Sequence, residues 1–387
     1  RLVDGTIEYM LQLDYIIDSF SKTKVRKMKP FIRNLLRMSV YQIKYMDAVP
    51  DSAVCNEAVK LAKRHKFAQL SGFVNGVLRN IARNIDSVQF DTLSIRYSMP
   101  QWIVDRFVSA YGEKKAEEIF KAFHSKSTIS IRTNLTRCTP DELRATLEAE
   151  GVTVTAVDEL NYAFVISGFD YLNGLQSFRD GLFYVQDISS MLVAQTAAPK
   201  KGDYVIDVCA APGGKSTHIA ELLRGSGHVF ARDLTDNKVD MIEENIDRHG
   251  LNNMSAEVWD ATVFDADSAG KADILICDLP CSGLGVLGRK KDIRYKMTPE
   301  SVDELAVLQR QILDTVHTYV KPNGVLVYST CTIDEAENED NVRWFIEKHP
   351  EFELDKSFAE GTGMKQILPG EHGSDGFFIA RFIKSKL

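Results

Sequence analysis

Asp203-Tyr-Val-Ile-Asp-Val-Cys209 is a short apolar run rich in β-branched residues, and it passes directly into Ala210-Ala-Pro-Gly213-Gly214-Lys215-Ser216-Thr217 and an apolar-periodic stretch from Ile219 to Leu223. Strand, glycine turn and helix start follow one another without a gap. Glycines let the backbone approach a ligand, and a helix N-terminus offers free amides, so the segment suits a nucleotide-type ligand. Two look-alikes fail. A phosphate-binding Walker loop needs glycine where Cys209 stands, despite Gly214-Lys215-Ser216. Gly283-Leu-Gly285-Val-Leu-Gly288 spells a dinucleotide fingerprint, but Arg289-Lys290-Lys291-Asp292-Ile293-Arg294-Tyr295 after it is too basic and aperiodic to be the required helix.

Working outward, the pattern from about Lys201 alternates strand and helix with short connections, which predicts an open parallel sheet with helices on both faces. A strand from His228 to Arg232 ends in Asp233, the place of an acid that binds ribose hydroxyls. Asp260 follows the next strand, Met254 to Trp259, at the same edge, where it could accept from an adenine amino group. The strand Asp273 to Cys277 runs into Asp278-Leu279-Pro280-Cys281-Ser282-Gly283, and the strand Gly324 to Tyr328 runs into Ser329-Thr330-Cys331-Thr332. Both ends fall at the ligand edge, so Asp278, Cys281 and Cys331 should converge there. Cysteines in strands or helices are usually small core residues. That reading suits Cys55, Cys138, Cys209 and Cys277 better than it suits Cys281 and Cys331 in their turns. His218, His228, His249 and His317 are expected at helix starts or on the surface, with no pairing to either thiol, which disfavours a cysteine protease.

The 387 residues carry 54 Asp and Glu against 47 Lys and Arg, a formal net charge of −7 that by itself argues against a polyanionic partner. The total conceals a division. Residues 1–90 are net +7 and the remainder net −14. Lys22, Lys24, Arg26, Lys27, Lys29, Arg33, Arg37 and Lys44 have no acid among them, and Phe31, Leu35, Leu36 and Val40 interleave at helical spacing. Such a run serves equally as a solvated helix face or as one turned to RNA. An apolar share of 44% and a charged share of 26% are those of a globular protein, and no apolar run approaches the ~18 residues of a membrane helix. Six cysteines without a C-x-x-C pair or a histidine at ligand spacing point away from disulfides and metal, and toward a reducing, cytoplasmic setting. The chain begins inside an apolar-periodic stretch and reads as N-terminally incomplete.

Upstream, helices are predicted from Asp14 to Phe20, Lys29 to Tyr45, Ser52 to Lys66 and Phe67 to Asn84, with Pro50 as a break and Asp51-Ser52 as an N-cap. Two more follow, Gln101 to Tyr111 and Glu113 to Phe123. A strand Thr128 to Leu135, a helix Pro140 to Glu150 and strands Val152 to Val157 and Tyr162 to Ile166 then read as a small α+β module.

Asp207-Val-Cys-Ala-Ala-Pro-Gly-Gly-Lys-Ser, Asp278-Leu-Pro-Cys-Ser-Gly and Tyr328-Ser-Thr-Cys331 together resemble the S-adenosylmethionine-dependent RNA cytosine carbon-5 methyltransferases. Within them the chain is most similar to the bacterial RsmB (Fmu/Sun) type, which methylates small-subunit (16S) ribosomal RNA. The resemblance spans nearly the whole chain. Val54-Cys-Asn-Glu-Ala-Val-Lys-Leu-Ala-Lys and Gly72-Phe-Val-Asn-Gly-Val-Leu-Arg-Asn are similar to the NusB-type RNA-binding helical domain, and Arg132-Thr-Asn134 and Val185-Gln186-Asp187-Ile-Ser-Ser190 to signatures flanking the catalytic domain. Leu279 departs from the usual Ala or Pro but keeps acid and thiol at their spacing.

The resemblance implies a multi-domain chain. Residues 1–85 would form an all-α NusB-like helical bundle, and residues 86–170 a helical linker with a small α+β RNA-binding module. Residues 171–387 would be a Rossmann-like (class I) α/β methyltransferase domain. Cys209, Ala210, Ala211, Pro212, Gly213, Gly214, Lys215, Asp233, Asp260 and Asp278 would hold S-adenosylmethionine, and Arg289, Lys290, Lys291 and Arg294 would face the RNA backbone. Carbon 5 of cytosine is a poor nucleophile until a thiolate adds to carbon 6, so covalent catalysis is required. The RNA enzymes imply Cys331 as that nucleophile, whereas DNA enzymes use a Pro-Cys thiol, which makes Cys281 the runner-up. Cys281 would otherwise remove the carbon-5 proton and release product, and Asp278 would recognise the cytosine. The expected partner is an unpaired or looped stretch of 16S rRNA, met by a monomer in the cytoplasm. Two alternatives stand: an enzyme acting on transfer RNA or another RNA, and a non-catalytic RNA-binding or ribosome assembly factor that keeps the fold.

Overall fold

The computed structural model describes residues 1–125 and 128–386. It divides into two compact units, Arg1–His124 with Arg289–Lys296, and Ser125–Gly288 with Met297–Leu387.

The first unit is helical. Its longer helices are α1 (Leu2–Glu8), α2 (Met10–Phe20), α3 (Pro30–Tyr45), α4 (Asp51–Arg64), α5 (Ser71–Asn84), α6 (Gln101–Tyr111) and α7 (Glu113–Phe123). Pro30 opens α3 and Pro50 precedes α4, where it costs no helical hydrogen bond. Gly112, at φ +77°, turns the chain between α6 and α7. The stripes read from the sequence are the core: Leu13, Ile16 and Ile17 of α2 meet Leu36 and Val40 of α3 and Val74, Leu78 and Ile81 of α5, all buried. The first predicted helix begins earlier, at Met10, and Pro50 rather than Asp51 or Ser52 occupies the N-cap of α4. Lys22, Lys24, Arg26, Lys27 and Lys29 are exposed, whereas Arg37 is spent on Asp14, to which its Nε and Nη2 each donate at 2.6 Å.

The segment Arg289–Lys296 belongs to this unit and corrects one expectation. Arg294 is fully buried, and its Nη1 donates to the carbonyls of Glu8 (3.4 Å) and Ser98 (3.5 Å). Lys291 pairs with the Glu8 carboxylate, and the Tyr295 hydroxyl donates to the Ser98 carbonyl at 3.2 Å. Burial works against the Glu8 charge, but its bonds to His124 and Lys291 outweigh burial and hold its pKa below the usual range. Arg294 and Lys291 thus serve the fold. Arg289 and Lys290 remain exposed.

The second unit holds two sheets. The first is antiparallel, in the order β2 (Thr153–Val157), β3 (Leu160–Ser167), β1 (Ile129–Thr133), β4 (Phe183–Val185). Helix α8 (Pro140–Ala149), started by a Thr139–Glu142 capping box, lays Leu143 and Leu147 against Ile131, Phe164, Ile166 and Phe183. β4 joins this sheet from beyond residue 171, where the catalytic region was expected to begin.

The second sheet carries the motifs. Its strands are β5 (Tyr204–Asp207), β6 (His228–Asp233), β7 (Met254–Val258), β8 (Ala272–Asp278), β9 (Val320–Thr330), β10 (Phe352–Leu354), β11 (Met364–Ile367) and β12 (Phe377–Lys384). The order is β10-β12-β9-β8-β5-β6-β7, with β11 also paired to β12. Strands β5 to β9 are parallel, as expected, but β12 runs antiparallel to β9 and pairs antiparallel with β10 and β11, so the sheet is mixed rather than wholly parallel. The nine residues between Ile367 and Phe377 are too few for a crossover, which takes roughly a dozen or more. Helices α9 (Ile188–Ala197), α10 (Gly214–Leu222), α11 (Asp236–His249), α12 (Pro299–Val316) and α13 (Glu339–Lys348) complete the unit. Strands covered on both faces need the near-continuous apolar runs seen in Val205–Ile206 and Ile274–Cys277, and these feed two buried clusters. Among the described residues no helix is long and apolar enough to cross a membrane.

Candidate active site

The carboxyl ends of β5, β6, β8 and β9 meet at one edge, where parallel α/β sheets bind ligands. β5 ends in Asp207, fully buried, whose carboxylate accepts from the Ser216 hydroxyl (2.5 Å) and the Cys209 amide (3.4 Å). Burial pushes its pKa up to about 7 in spite of the Ser216 bond. The turn then passes Gly213, at φ +104°, and α10 begins at Gly214. A residue other than glycine would strain this turn.

Arg132, from the neighbouring antiparallel sheet, braces that helix start. Fully buried, it donates to the Gly214 carbonyl (3.0 Å), to Gln186 (2.7 Å) and to Glu221 (2.9 Å). Asn134 reaches the carbonyls of Gly181 and His249. His218 and His249, expected at helix starts or on the surface, are both buried, His218 near the start of α10 and His249 at the end of α11. His218 sits edge-on to Tyr162, and Nδ1 of His249 bonds the Asn245 carbonyl at 2.8 Å.

At the end of β6 Asp233 is buried and accepts from the amides of Ala211 (2.9 Å) and Leu234 (2.7 Å) and from Lys238 (2.7 Å). It ties the glycine turn to β6. Leu234 beside it stays 56% exposed, an apolar face on which a purine could stack. Asp260 is exposed and accepts from the amide and hydroxyl of Thr262.

The reactive groups gather between β8 and β9. Parallel pairing sets Asp278 beside Ser329, whose hydroxyl donates to Asp278 Oδ1 at 2.8 Å, while Lys215 Nζ binds Oδ2 at 2.7 Å. Burial opposes the Lys215 charge, but the carboxylates of Asp278 and Asp207 and the thiol of Cys331 outweigh it, and its pKa is raised. Cys281 and Cys331 stand with their sulfurs 3.2 Å apart. The hydrogen bond to Cys331, then burial, drives the Cys281 pKa well above the ordinary thiol range. The two thiols lie close enough to share one proton.

Sequence reading missed the groups beneath this pair. Glu337, fully buried, accepts from the Ser282 amide (2.9 Å) and hydroxyl and from Gln309 (2.9 Å), fixing the loop that carries Cys281. Asn338 accepts from the Thr330 hydroxyl (2.6 Å) and donates to the Thr332 carbonyl (3.1 Å), gripping both neighbours of Cys331. Their only sequence signal is an acidic stretch that reads as the start of a helix. Gly285, dismissed above as a coincidence of spacing, donates its amide to the Cys331 carbonyl at 3.1 Å, and a Cβ there would stand 2.2 Å from the Gly376 carbonyl oxygen. Gly285→Ala is accordingly expected to lower the catalytic rate about 100-fold by displacing the backbone under Cys331. Steady-state kinetics check this, and an unchanged kcat would contradict it.

A parallel core with a glycine turn after β5, an acid ending β6 and two thiols on neighbouring strand ends is a Rossmann-like methyltransferase domain. The chain matches the family models "NusB family" over residues 1–83, "Methyltr_RsmF/B-like, ferredoxin-like domain" over 99–169 and "16S rRNA methyltransferase RsmB/F" over 194–383. It is 38% identical, over 99% of its length and 89% of the relative's, to the Bacillus subtilis (strain 168) protein named "Probable ribosomal RNA small subunit methyltransferase B". Among solved structures it resembles PH0851, at 26% identity and a TM-score of 0.85 over 100% of this chain and 89% of that one. It also resembles NSun6 from Pyrococcus horikoshii, solved with SFG, at 25% identity and a TM-score of 0.68 over 74% and 99% of the two chains. The chain belongs to the RsmB family of ribosomal RNA small subunit methyltransferases, enzymes that use S-adenosylmethionine to methylate RNA.

Proposed function

We propose that the protein methylates carbon 5 of a cytosine in 16S ribosomal RNA through a covalent bond between Cys331 and carbon 6. The observation that carries this reading is the Cys281–Cys331 pair, 3.2 Å apart, beside an Asp278 held by Lys215 and Ser329. The residues fit the cofactor. Cys209, Ala210, Ala211, Pro212, Gly213, Gly214 and Lys215 form its turn, Asp233 and Asp260 take its ribose and adenine, with Leu234 as the stacking face, and Asp278 closes the methionine side. Bound there, S-adenosylmethionine supplies an electrophilic methyl group.

With the proton of the pair assigned to Cys281, Cys331 is the thiolate that forms the sulfur–carbon 6 bond. The displaced electron pair moves into the ring as nitrogen 3 takes a proton from solvent, given back when the sulfur–carbon bond breaks, and the Asp278 carboxylate, with Lys215 behind it, accepts from that N–H and from the exocyclic amine. Carbon 5 then takes the methyl group. Cys281 gives up its proton to solvent and, as a thiolate, takes the proton on carbon 5 while the bond to Cys331 breaks. The pair returns to its starting state with one proton released per turnover.

The test is incubation with labelled cofactor and 16S rRNA, followed by mass-spectrometric location of the methyl group. Carbon 5 of one cytosine is the expected place. A methyl on another atom refutes the chemistry, and methylation of transfer RNA alone refutes the substrate. The exposed Lys22, Lys24, Arg26, Lys27 and Lys29 supply a basic face for RNA. Replacing all five by Gln is expected to flatten the salt dependence of rRNA binding by about 0.7 to 0.9 log units per phosphate contact removed. An unchanged slope in binding assays would show that this face touches no phosphate.

A further inference from the structure

In the second unit, far from the thiols, the chain brings Asp314, His317 and His349 together so that each offers one ligand atom within 4.8 Å of the others. Asp314 lies in the last turn of α12, His317 starts the turn into β9, and His349 caps the end of α13. From the geometry we infer a binding site for a divalent ion of the zinc class on these three residues, with Glu351 behind them. It stands at the amino end of β9, eleven residues and so roughly 30 Å of strand from Cys331, and goes beyond the methyltransferase reading.

Three observations carry it. His349 is more than nine-tenths buried, and its Nε2 faces Asp314 Oδ1 at 3.2 Å without making a hydrogen bond. That separation is close to the ~3.3 Å between two ligands on a tetrahedral ion with ~2.0 Å bonds. Nδ1 of the same ring faces Glu351 at 3.9 Å, the place of a carboxylate that orients a metal-binding histidine. The two imidazoles pack with centroids 3.9 Å apart, an arrangement that two protonated rings would oppose and a shared cation would favour. Imidazole and carboxylate together suit zinc and its neighbours better than magnesium or calcium. Lys348 takes Asp314 Oδ2 at 2.8 Å and leaves Oδ1 for the ion, so the site is moderate in affinity. An ion here links the ends of α12 and α13, and its role is structural.

The catalytic thiols could also take zinc, so the 387-residue chain carrying Cys281→Ser and Cys331→Ser is stripped with chelator and titrated with Zn²⁺ by calorimetry. One equivalent is expected, with a dissociation constant of about 10 µM or lower. Adding His349→Ala or His317→Ala should weaken it about 100-fold and abolish a zinc-induced rise in melting temperature of about 3 °C or more. If those variants fail to fold, Asp314→Asn, whose side chain is only part-buried, should still weaken binding at least about tenfold. Absence of the bound equivalent, or affinity that survives these substitutions, overturns the inference.

Discussion

Cys331→Ala is expected to lower methyl transfer by about 10⁴-fold or more while the affinity for S-adenosylmethionine stays within about twofold. The size follows from the chemistry. Without a thiolate on carbon 6, carbon 5 has no electron pair to offer, and no neighbouring group substitutes: burial still raises the pKa of Cys281, whose loop places it for the carbon-5 proton, and Ser329 is committed to Asp278. The cofactor should be indifferent because the turn from Cys209 to Lys215 is anchored through Asp207, Asp233 and Arg132, none of which depends on the Cys331 sulfur. Turnover assays with rRNA and calorimetric titration of the cofactor separate the two effects. Residual activity within about tenfold of the unaltered enzyme would remove Cys331 from the mechanism.

Cys281→Ser has a different expected signature. Turnover should fall by about 10² to 10³-fold, the ordinary worth of a general base, while a protein–RNA complex that survives denaturation accumulates. Cys331 can still add and the methyl can still move, but nothing within reach removes the carbon-5 proton, so the sulfur–carbon bond persists. A serine hydroxyl keeps the loop in place, since Ser282, Glu337 and Gln309 hold it through other atoms. The complex should contain the transferred methyl group. Slow turnover without any adduct would mean that Cys281 acts before methyl transfer rather than after it.

What the sequence made legible was local. The strand, glycine turn and helix around Asp207 and Gly213 are set by adjacent residues, and so were the strand ends bearing Asp278, Cys281 and Cys331, because an apolar run followed by a turn names its own end. The helical stripes of α2, α3 and α5 were equally plain. The mixed sheet was not, because orientation depends on the short connection between β11 and β12 rather than on any strand's composition. Charge alone misled at Arg294. A basic run looks the same whether it meets phosphate or, as here, the buried carbonyls of Glu8 and Ser98, residues nearly 200 or more positions away. Glu337 and Asn338 were hidden for the same reason: one holds Ser282 across 55 residues, and the other shows its purpose only when the turn after β9 folds over it. The Asp314, His317 and His349 cluster joins the ends of two helices, beyond any spacing rule.

The most direct test of the central claim uses the unaltered enzyme with RNA carrying 5-fluorocytosine at the target, since fluorine on carbon 5 cannot leave as a proton and traps the covalent state. Digestion and peptide mapping of the trapped complex should place the nucleotide on the sulfur of Cys331 and leave Cys281 unmodified. A nucleotide on Cys281 would contradict the account and exchange the roles of the two thiols.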